Sequence, residues 1–240
     1  MVKIKHIGKC LVIEIEEEKE KRKILAVGDL HLGYEEALER GGTFVGRGLF
    51  TEMLKEIREI LENAGKIDEI VLLGDVKHEF GRVLKQESGD FGKLVNFLEE
   101  RTGKIVVVKG NHDKIIEQIG LRKVEVKEKY IAGCVCFVHG DKDFKEMHDR
   151  EIKYWIMGHG HPAVVLKEGV KEEKYKCFLE GEYEGKKVII LPSFLEYIEG
   201  SDPREFDLGM AWNFSLRRFR VRIINKGLRV YDFGELQNLK

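Results

Sequence analysis

Five short apolar runs in this sequence each end in a motif built from glycine, aspartate, asparagine and histidine. Apolar, β-branched runs of this length are typical of buried strands. In open α/β sheets, ligands bind beyond the carboxyl ends of the strands. The motifs therefore predict that five strand ends, spread over more than a hundred residues, meet at one site. In chain order they are GDLH (28–31), GD (74–75), GNHD (110–113), HG (139–140) and GHGH (158–161).

The wider pattern predicts an α/β fold, because short β-branched runs alternate with amphipathic segments. The clearest helical stripe begins at Leu49 and ends at the stop signal Gly65, and a second helix is expected over about 91–101. From residue 120 onward strands dominate, which predicts a mostly antiparallel second sheet packed against the first. Strands are predicted over 10–16, 23–27, 69–73, 104–109, 122–128, 130–138, 154–157, 163–167, 174–180, 187–191, 218–224 and 227–232.

Composition excludes several classes of protein. Apolar residues make up 42% of the chain, which is too many for a disordered protein. No apolar run approaches the roughly 18 residues that span a bilayer, and no signal-like stretch follows the basic opening segment, so we expect a cytoplasmic protein. With a net charge of −1, the protein as a whole has no positive electrostatic field that would attract polyanions. Any nucleic-acid contact must therefore come from a local basic patch. We expect a single domain over residues 1–240.

The four cysteines form no CxxC motif. Cys134 and Cys136 lie two residues apart in the predicted strand 130–138, where both would point to one face. We expect buried free thiols at these positions. His6 and His148 belong to no motif, and we expect both to be solvated.

The motif side chains favour a metal site made of carboxylates, imidazoles and one amide, without thiolates. Such ligands suit manganese best, with iron or zinc as alternatives. Seven ligands exceed what one ion with an open position takes, but they suit two ions bridged by a carboxylate, for which Asp75 is the natural choice. Two ions would clamp a phosphate and supply a hydroxide for in-line attack, which is the chemistry of phosphoester hydrolysis. The candidate ligands are Asp29, His31, Asp75, Asn111, His139, His159 and His161.

The five motifs in this order resemble the calcineurin-like metallophosphoesterase superfamily over about residues 25–165. The resemblance implies a four-layer α/β/β/α sandwich, with two mixed β-sheets flanked by helices. It also implies that His112, in GNHD, is not a ligand but the general acid that protonates the leaving oxygen, or a group that holds the phosphoryl oxygens. The implied ligand sets are Asp29, His31, Asp75 and His161 for one ion, and Asp75, Asn111, His139 and His159 for the other.

The segment GDVKH places His78 three residues after Asp75. In this respect the sequence is similar to the SbcD-type DNA nucleases and to compact phosphoesterases found alongside DNA ligases and helicases, which makes His78 a second catalytic candidate. The alternative for His78 is a loop histidine that makes a backbone hydrogen bond. The chain after residue 165 is too short for a separate DNA-capping domain, so we expect a small phosphodiesterase.

Two basic segments have open interpretations. Arg47, in the glycine-rich segment 40–48, could bind a substrate phosphate, or the segment could be a plain surface loop. Residues 217–222 alternate, with Arg218, Arg220 and Arg222 predicted on one face of a strand. This ribbon could follow a nucleic-acid backbone, or it could be a charged edge strand that prevents aggregation.

Two further segments also have more than one interpretation. Asp113 could cap a helix over 114–119 or support a metal ligand. The apolar residues after Pro192-Ser193 could form an exposed contact through which two copies of the chain associate into a homo-oligomer. These residues are Phe194, Leu195, Tyr197 and Ile198.

Three functions fit the sequence. The first is a two-metal phosphodiesterase or nuclease acting on nucleic-acid or nucleotide-type substrates, with His112 assisting departure of the alcohol. The second is a phosphomonoesterase or other small-molecule phosphatase with the same metal residues. The third is a non-catalytic scaffold, which the retromer phosphoesterase-like subunit exemplifies. Such scaffolds typically lose the GNHD histidine, so His112 argues against the third function.

Overall fold

The computed structural model describes residues 1–17, 20–119, 124–225 and 227–239. Two mixed sheets pack face to face within these residues, and three α-helices lie on the first sheet. The strands of the first sheet are β1 Val2–Ile7, β2 Cys10–Glu17, β3 Glu20–Val27, β4 Glu69–Leu73, β5 Lys104–Val108 and β6 Val124–Lys127. The helices are α1 Tyr34–Arg40, α2 Leu49–Ala64 and α3 Lys85–Glu99.

The first sheet has the order β1-β2-β3-β4-β5-β6. The pairs β1-β2 and β2-β3 are antiparallel, whereas β3 to β6 are parallel neighbours. Parallel neighbours need crossover connections, which α1 and α2 supply between β3 and β4, and α3 between β4 and β5. This arrangement places the carboxyl ends of β3, β4 and β5 side by side.

The second sheet has the order β14-β13-β11-β12-β9-β8-β7, with β10 paired to β11. Its neighbours are antiparallel except for β8-β9 and β9-β12, which confirms the prediction of a mostly antiparallel second sheet. Its strands are β7 Tyr130–Ala132, β8 Val135–Val138, β9 Tyr154–Met157, β10 Ala163–Glu168, β11 Lys171–Tyr183, β12 Lys186–Ile190, β13 Arg220–Ile224 and β14 Val230–Glu235.

Three buried clusters hold the layers together. One lies between the sheets, where Val71 and Val106 of the first sheet share a core with Phe137 and Phe178 of the second. A second joins the helices to the outer face of the first sheet. The third covers the outer face of the second sheet with side chains from irregular segments and 3₁₀ turns, Trp212 and Leu236 among them. The predicted α/β class, with two mixed sheets and flanking helices, is confirmed. Among the described residues, 3₁₀ turns and irregular segments form the outer layer on the second sheet, where the four-layer sandwich implied α-helices. A single domain over residues 1–240 stays a prediction.

The predicted helix from Leu49 to Gly65 is confirmed, and its apolar stripe is buried. Helix α3 begins at Lys85, earlier than the expected 91, because the buried carboxylate of Glu87 accepts the backbone N–H of Leu84 and closes the first turn. Strand β1 and helix α1 are further elements that the sequence analysis did not predict. Of the predicted strand 122–128, residues 122 and 123 lie outside the described residues, and 124–127 form β6.

The single strand predicted over 130–138 is wrong. Gly133 takes a left-handed backbone conformation (φ 54°), which turns the chain and makes β7 and β8 an antiparallel hairpin. Cys134 therefore lies in the turn and is half-buried, whereas Cys136 is fully buried. The two thiols do not share one strand face.

The basic segment 217–222 is not an edge strand. Strand β13 begins at Arg220 and lies between β11 and β14, and Arg218 belongs to a preceding 3₁₀ turn. Arg220 pairs with Asp232 at 2.6 Å, and Arg222 pairs with Glu180 at 2.8 Å. Neighbouring strands thus supply carboxylates to two of the three arginines.

The apolar patch expected after Pro192-Ser193 does not form on the surface. Phe194 and Leu195 are buried and belong to the core beneath the helices, Ile198 is half-buried, and Tyr197 is exposed. These residues therefore stabilise the fold and do not form the contact surface that we expected. Homo-oligomer formation stays a prediction, and this segment does not support it. Among the described helices, none is both long and apolar enough to cross a membrane.

The shared core between the sheets generates a first prediction. Replacing Phe137 with alanine is expected to lower the free energy of unfolding by about 3–5 kcal/mol, because it removes a fully buried ring and leaves a cavity. Ile131→Ala, in the same hairpin but 40% exposed, is the control and should cost about 1 kcal/mol or less. Urea denaturation measures both. A similar small loss in the two variants would contradict a core shared by the sheets.

Candidate metal centre

All seven predicted ligands come together at the carboxyl ends of five strands. The loops after β3, β4 and β5 of the first sheet meet the loops after β8 and β9 of the second. Backbone hydrogen bonds join the first two loops, because His31 N–H donates to the carbonyl of Asp75 and Leu32 N–H to that of Val76, both at 2.8 Å. The convergence predicted from the motifs is therefore present.

One group of potential ligands consists of Asp29, His31, Asp75 and His161, whose ligand atoms all lie within 4.8 Å of one another. His161 Nε2 lies 3.0 Å from Asp29 Oδ1, and His31 Nε2 lies 3.4 Å from His161 Nε2. Asp29 and His31 are buried. Two imidazole nitrogens and two carboxylates thus face a common point, as a divalent ion requires.

A second group consists of Asp75, His139 and His159, again within 4.8 Å. His139 Nε2 lies 3.1 Å from His159 Nδ1 and 3.1 Å from the side-chain oxygen of Asn111, which adds the amide ligand. Asp75 belongs to both groups, so its carboxylate lies where a bridge between two ions would lie.

Backbone carbonyls fix the orientation of the imidazoles. His139 Nδ1 lies 2.9 Å from the carbonyl of Leu73, and His159 Nε2 lies 3.0 Å from the carbonyl of Gly209. Because a carbonyl only accepts, these nitrogens carry the hydrogen, so His139 Nε2 and His159 Nδ1 are the nitrogens that would present lone pairs to a bound ion. Metal-binding histidines are commonly oriented in this way.

The charges of the centre favour a cation. Burial alone would raise the pKa of Asp75, but the hydrogen bond and charge of His139 hold it below its usual range. Burial alone would lower the pKa of His139, yet the hydrogen bond and charge of Asp75, with the charge of Asp29, raise it to about 10. A divalent ion would take the place of the proton that these carboxylates attract. The donor set fits two divalent ions.

The backbone at the candidate ligands is strained. Among the described residues, seven that are not glycine have positive φ, and five of them are candidate ligands. Residues other than glycine rarely adopt this left-handed backbone conformation, and they keep it where the surrounding structure holds them in place. The strain is therefore concentrated at the candidate centre. The five are Asp29 (48°), His31 (47°), Asp75 (45°), His159 (64°) and His161 (40°).

The glycines before the ligands allow the loops to pack closely. A β-carbon on Gly110 would lie 2.2 Å from Asp75 Oδ1, and one on Gly74 would lie 2.4 Å from His139 Nδ1. At Gly158 it would lie 2.7 Å from Asp29 Oδ2. These distances leave no room for a side chain, which explains the glycine that begins the second, third and fifth motifs.

His112 lies beside the shared carboxylate. It belongs to neither of these two groups but to a third cluster, with His31 and His78, whose ring nitrogens lie within 4.8 Å of one another. Its backbone N–H donates to Asp75 Oδ1 at 3.0 Å, and its Nε2 lies 3.7 Å from Asp75 Oδ2. Its Nδ1 donates to the backbone carbonyl of His78. Because this hydrogen bond holds Nδ1, Nε2 on the other side of the ring faces the centre.

His78 makes the backbone hydrogen bond of the loop alternative, and its ring also lies at the site. Its backbone N–H donates to the carbonyl of Leu32 at 3.0 Å, and its own carbonyl orients His112. Its ring also enters the site, because its Nδ1 lies 3.4 Å from His31 Nδ1. Catalysis by His78 stays a prediction.

The family model for calcineurin-like phosphoesterases matches residues 22–149, which is more than half of the chain. The chain belongs to the calcineurin-like phosphoesterase family. Members of this family typically bind two divalent ions, in agreement with the two ligand groups. No curated protein is similar enough in sequence to count as a match.

Several solved structures are similar to this phosphoesterase. Nuclease MPE from Pseudomonas putida matches with a TM-score of 0.59 and 16% identity, over 97% of this chain and 100% of that one. The phosphoesterase YfcE from E. coli matches with a TM-score of 0.43 and 12% identity, over 88% and 98%. A single mutant of Vps29 from Entamoeba histolytica matches with a TM-score of 0.40 and 14% identity, over 88% and 99%.

Asp113 supports the ligand loops of the phosphoesterase. It is fully buried, and its carboxylate accepts the backbone N–H groups of Gly110, Val76 and Lys77. It thus clamps the loop that carries Asp75 to the loop that carries Asn111. The 3₁₀ turn that follows begins at Ile116, so capping of a helix over 114–119 is wrong.

Arg47 and the two histidines outside the motifs lie beside carboxylates. Arg47 is exposed, and its Nη2 lies 2.7 Å from Glu39 Oε2. A role for Arg47 in substrate binding stays a prediction. His6 is not solvated, because its Nε2 lies 2.5 Å from Glu180 with only 16% of the side chain exposed. His148 lies between Asp143 and Glu184 and is one-third exposed.

Two supporting segments escaped the sequence analysis. One contains Gly209, whose carbonyl orients His159. The other follows β12, where Phe194 N–H donates to the carbonyl of Gly28 at 3.1 Å and Lys176 Nζ donates to the carbonyls of Ser193 and Leu195. The second segment carries a usable signal, since Pro192-Ser193 follows an apolar run as the five motifs do. The segment that contains Gly209 carries no such signal in the sequence.

The close packing at Gly110 generates a second prediction. Gly110→Ala is expected to displace Asp75 and to reduce bound manganese from about two ions per chain to one or fewer. Gly89→Ala is the matched control, because nothing lies within 4 Å of a β-carbon at that helical position. Elemental analysis after dialysis measures the ratio. Two ions retained in Gly110→Ala would contradict Asp75 as the bridging ligand.

Lys176 generates a prediction about pH. Burial, and then the charge of Lys9, lowers its pKa to about 7 in the folded chain. Its pKa is about 10.4 in the unfolded chain, so between these values the unfolded state binds more protons. The free energy of unfolding should therefore rise with pH from about 7 to about 10, and this contribution should be absent in Lys176→Met.

Urea denaturation across that pH range measures the difference between the two proteins. Lys174→Met, at an exposed lysine on the same strand, is the control and should keep the wild-type slope. An unchanged slope in Lys176→Met would show that the amine is not desolvated.

Proposed function

We propose that this phosphoesterase hydrolyses phosphodiester bonds in nucleic-acid or nucleotide-type substrates with two divalent ions, of which manganese is the most suitable. The observation that carries the proposal is the position of His112. Its Nε2 faces the carboxylate shared by both ligand groups, and its Nδ1–H is fixed by the carbonyl of His78. This arrangement suits a proton donor beside the reacting phosphate.

The ligand groups would hold the ions on either side of Asp75. Bound there, the ions would clamp the phosphate, lower the pKa of water to provide a nucleophile, and offset charge on the phosphoryl oxygens. The absence of thiolates from the ligand groups supports a choice of manganese over softer ions. The ligand groups are Asp29, His31, Asp75 and His161, and Asp75, Asn111, His139 and His159.

His112 would act on the leaving oxygen. In its protonated state the side chain carries a hydrogen on Nε2, while Nδ1–H stays on the His78 carbonyl. The ring can therefore give up one proton without rotating, which favours transfer to the departing alcohol. The partner carbonyl belongs to the loop that follows Asp75, so the acid and the shared carboxylate are held by the same loop.

A diester substrate is supported by the fold that the chain shares with nuclease MPE over 97% of this chain and 100% of that one. The phosphomonoesterase alternative shares every ligand and stays open to the test below. The scaffold alternative is opposed by the complete ligand set together with an oriented His112.

Hydrolysis of small esters tests the proposal. With manganese, the protein should hydrolyse bis-p-nitrophenyl phosphate faster than p-nitrophenyl phosphate. His112→Ala should lower kcat about 10²–10⁴-fold on a thymidine dinucleotide, the range for loss of general acid catalysis. The loss should be smaller with p-nitrophenyl esters, because p-nitrophenolate departs without a proton.

His148→Ala, at an ion-paired histidine outside the motifs, is the matched control and should keep full activity. An equal loss on both substrates would show that His112 holds phosphoryl oxygens and does not protonate the alcohol. Faster turnover of the monoester would favour the phosphatase alternative. No turnover of any ester with two ions bound would contradict catalysis.

A further inference from the structure

Phe80 places an exposed aromatic ring against the proposed acid. Its ring centroid lies 3.6 Å from that of His112, with 35° between the planes, and 54% of the residue is exposed. A phenylalanine of the core would be covered on all sides. This ring therefore has one side on the imidazole and a large area open to solvent next to the metal centre.

Buried charges fix the loop that carries Phe80. Lys77, which is 1% exposed, donates from Nζ to the carbonyls of Glu79 and Arg82. The carboxylate of Glu87, which is fully buried, accepts the backbone N–H groups of His78 and Glu79. Buried charges are costly unless they are fully hydrogen-bonded, so these contacts specify one loop conformation. The exposed position of Phe80 is thus built into the fold.

The charged side chains of this loop do not compete with the ring. Arg82 is exposed and pairs with Glu79 at 3.3 Å, and Lys77 is buried inside the loop. The feature that the loop presents beside His112 is therefore aromatic.

We propose that Phe80 is a stacking face for the nucleobase of the leaving nucleoside. This inference rests on the proposed function, because His112 would protonate the leaving oxygen and Phe80 is its neighbour. A base attached to that alcohol would extend over the open side of the ring. Stacking of a base on an aromatic side chain favours binding and is tolerant of base identity, since every base has a π face. The inference assigns the protein a preference for nucleosidic over simple alkyl leaving groups.

Binding of two phosphates that differ only in the base tests this face. Isothermal titration calorimetry with manganese would compare thymidine 5′-monophosphate with deoxyribose 5-phosphate. Wild type should bind the nucleotide about tenfold more tightly, which is within the range for one stacked base. Phe80→Ala and Phe80→Leu should lose this preference, whereas Phe80→Trp should keep it. Binding of deoxyribose 5-phosphate should change less than about twofold in all variants, because stacking on Phe80 involves the base alone.

Leucine is the decisive control, because it keeps an apolar side chain against His112 but removes the π face. Equal binding of the two phosphates by wild type would overturn the stacking face. A preference retained in both Phe80→Ala and Phe80→Leu, or an equal loss for both phosphates, would also overturn it. The latter result would show that Phe80 only positions the imidazole.

Cleavage of a thymidine dinucleotide, measured in parallel, separates the two proposals. With Phe80→Ala, KM should rise about tenfold while kcat stays within about threefold, as expected for lost binding of the base. Base-dependent binding by a protein that cleaves no diester would refute the phosphodiesterase proposal but keep the stacking face. Diester cleavage without base-dependent binding would refute the stacking face but keep the phosphodiesterase proposal.

Discussion

The carboxylate of Asp75 is the constraint on which the rest of the site depends. It belongs to both ligand groups, accepts the backbone N–H of His112, and holds a negative charge within 3.4 Å of His139 Nε2. One short side chain can reach all of these partners only because its backbone is left-handed and because Gly110 leaves space beside it. The position of one carboxylate therefore determines how close five loops must come.

The sequence was sufficient to predict the candidate ligands because each belongs to a local signal. A buried strand is visible as an apolar run, and a polar residue directly after it must lie at the edge of the sheet. Of the residues that hold those ligands, the sequence indicated Asp113, which ends the GNHD motif, but not Glu87 or Lys77. All three are charged side chains that the fold buries by satisfying them with backbone groups, and those partners are defined only in three dimensions.

The incorrect predictions share a different cause. Apolarity predicts burial but does not show which layer a residue enters or where a strand turns. Residues 130–138 are apolar enough for one strand, yet Gly133 divides them into a hairpin. The apolar residues after Pro192-Ser193 could form an exposed contact by their sequence alone, but Phe194 and Leu195 complete the core beneath the helices. In both segments tertiary packing decided among structures that the local pattern allowed equally.

Backbone carbonyls orient at least three histidines around the centre. Leu73 fixes His139, Gly209 fixes His159 and His78 fixes His112. A carbonyl has no proton to give, so it selects one tautomer irrespective of the side chain that carries it. Substitution of Leu73 could therefore leave its hydrogen bond intact, whereas Gly209 has a left-handed backbone (φ 66°) in which another residue would be strained. The orientation of these histidines thus depends on the backbone of the strands and loops. Because this backbone must stay in place, the strain concentrated at the ligands must be balanced by packing elsewhere in the sheets.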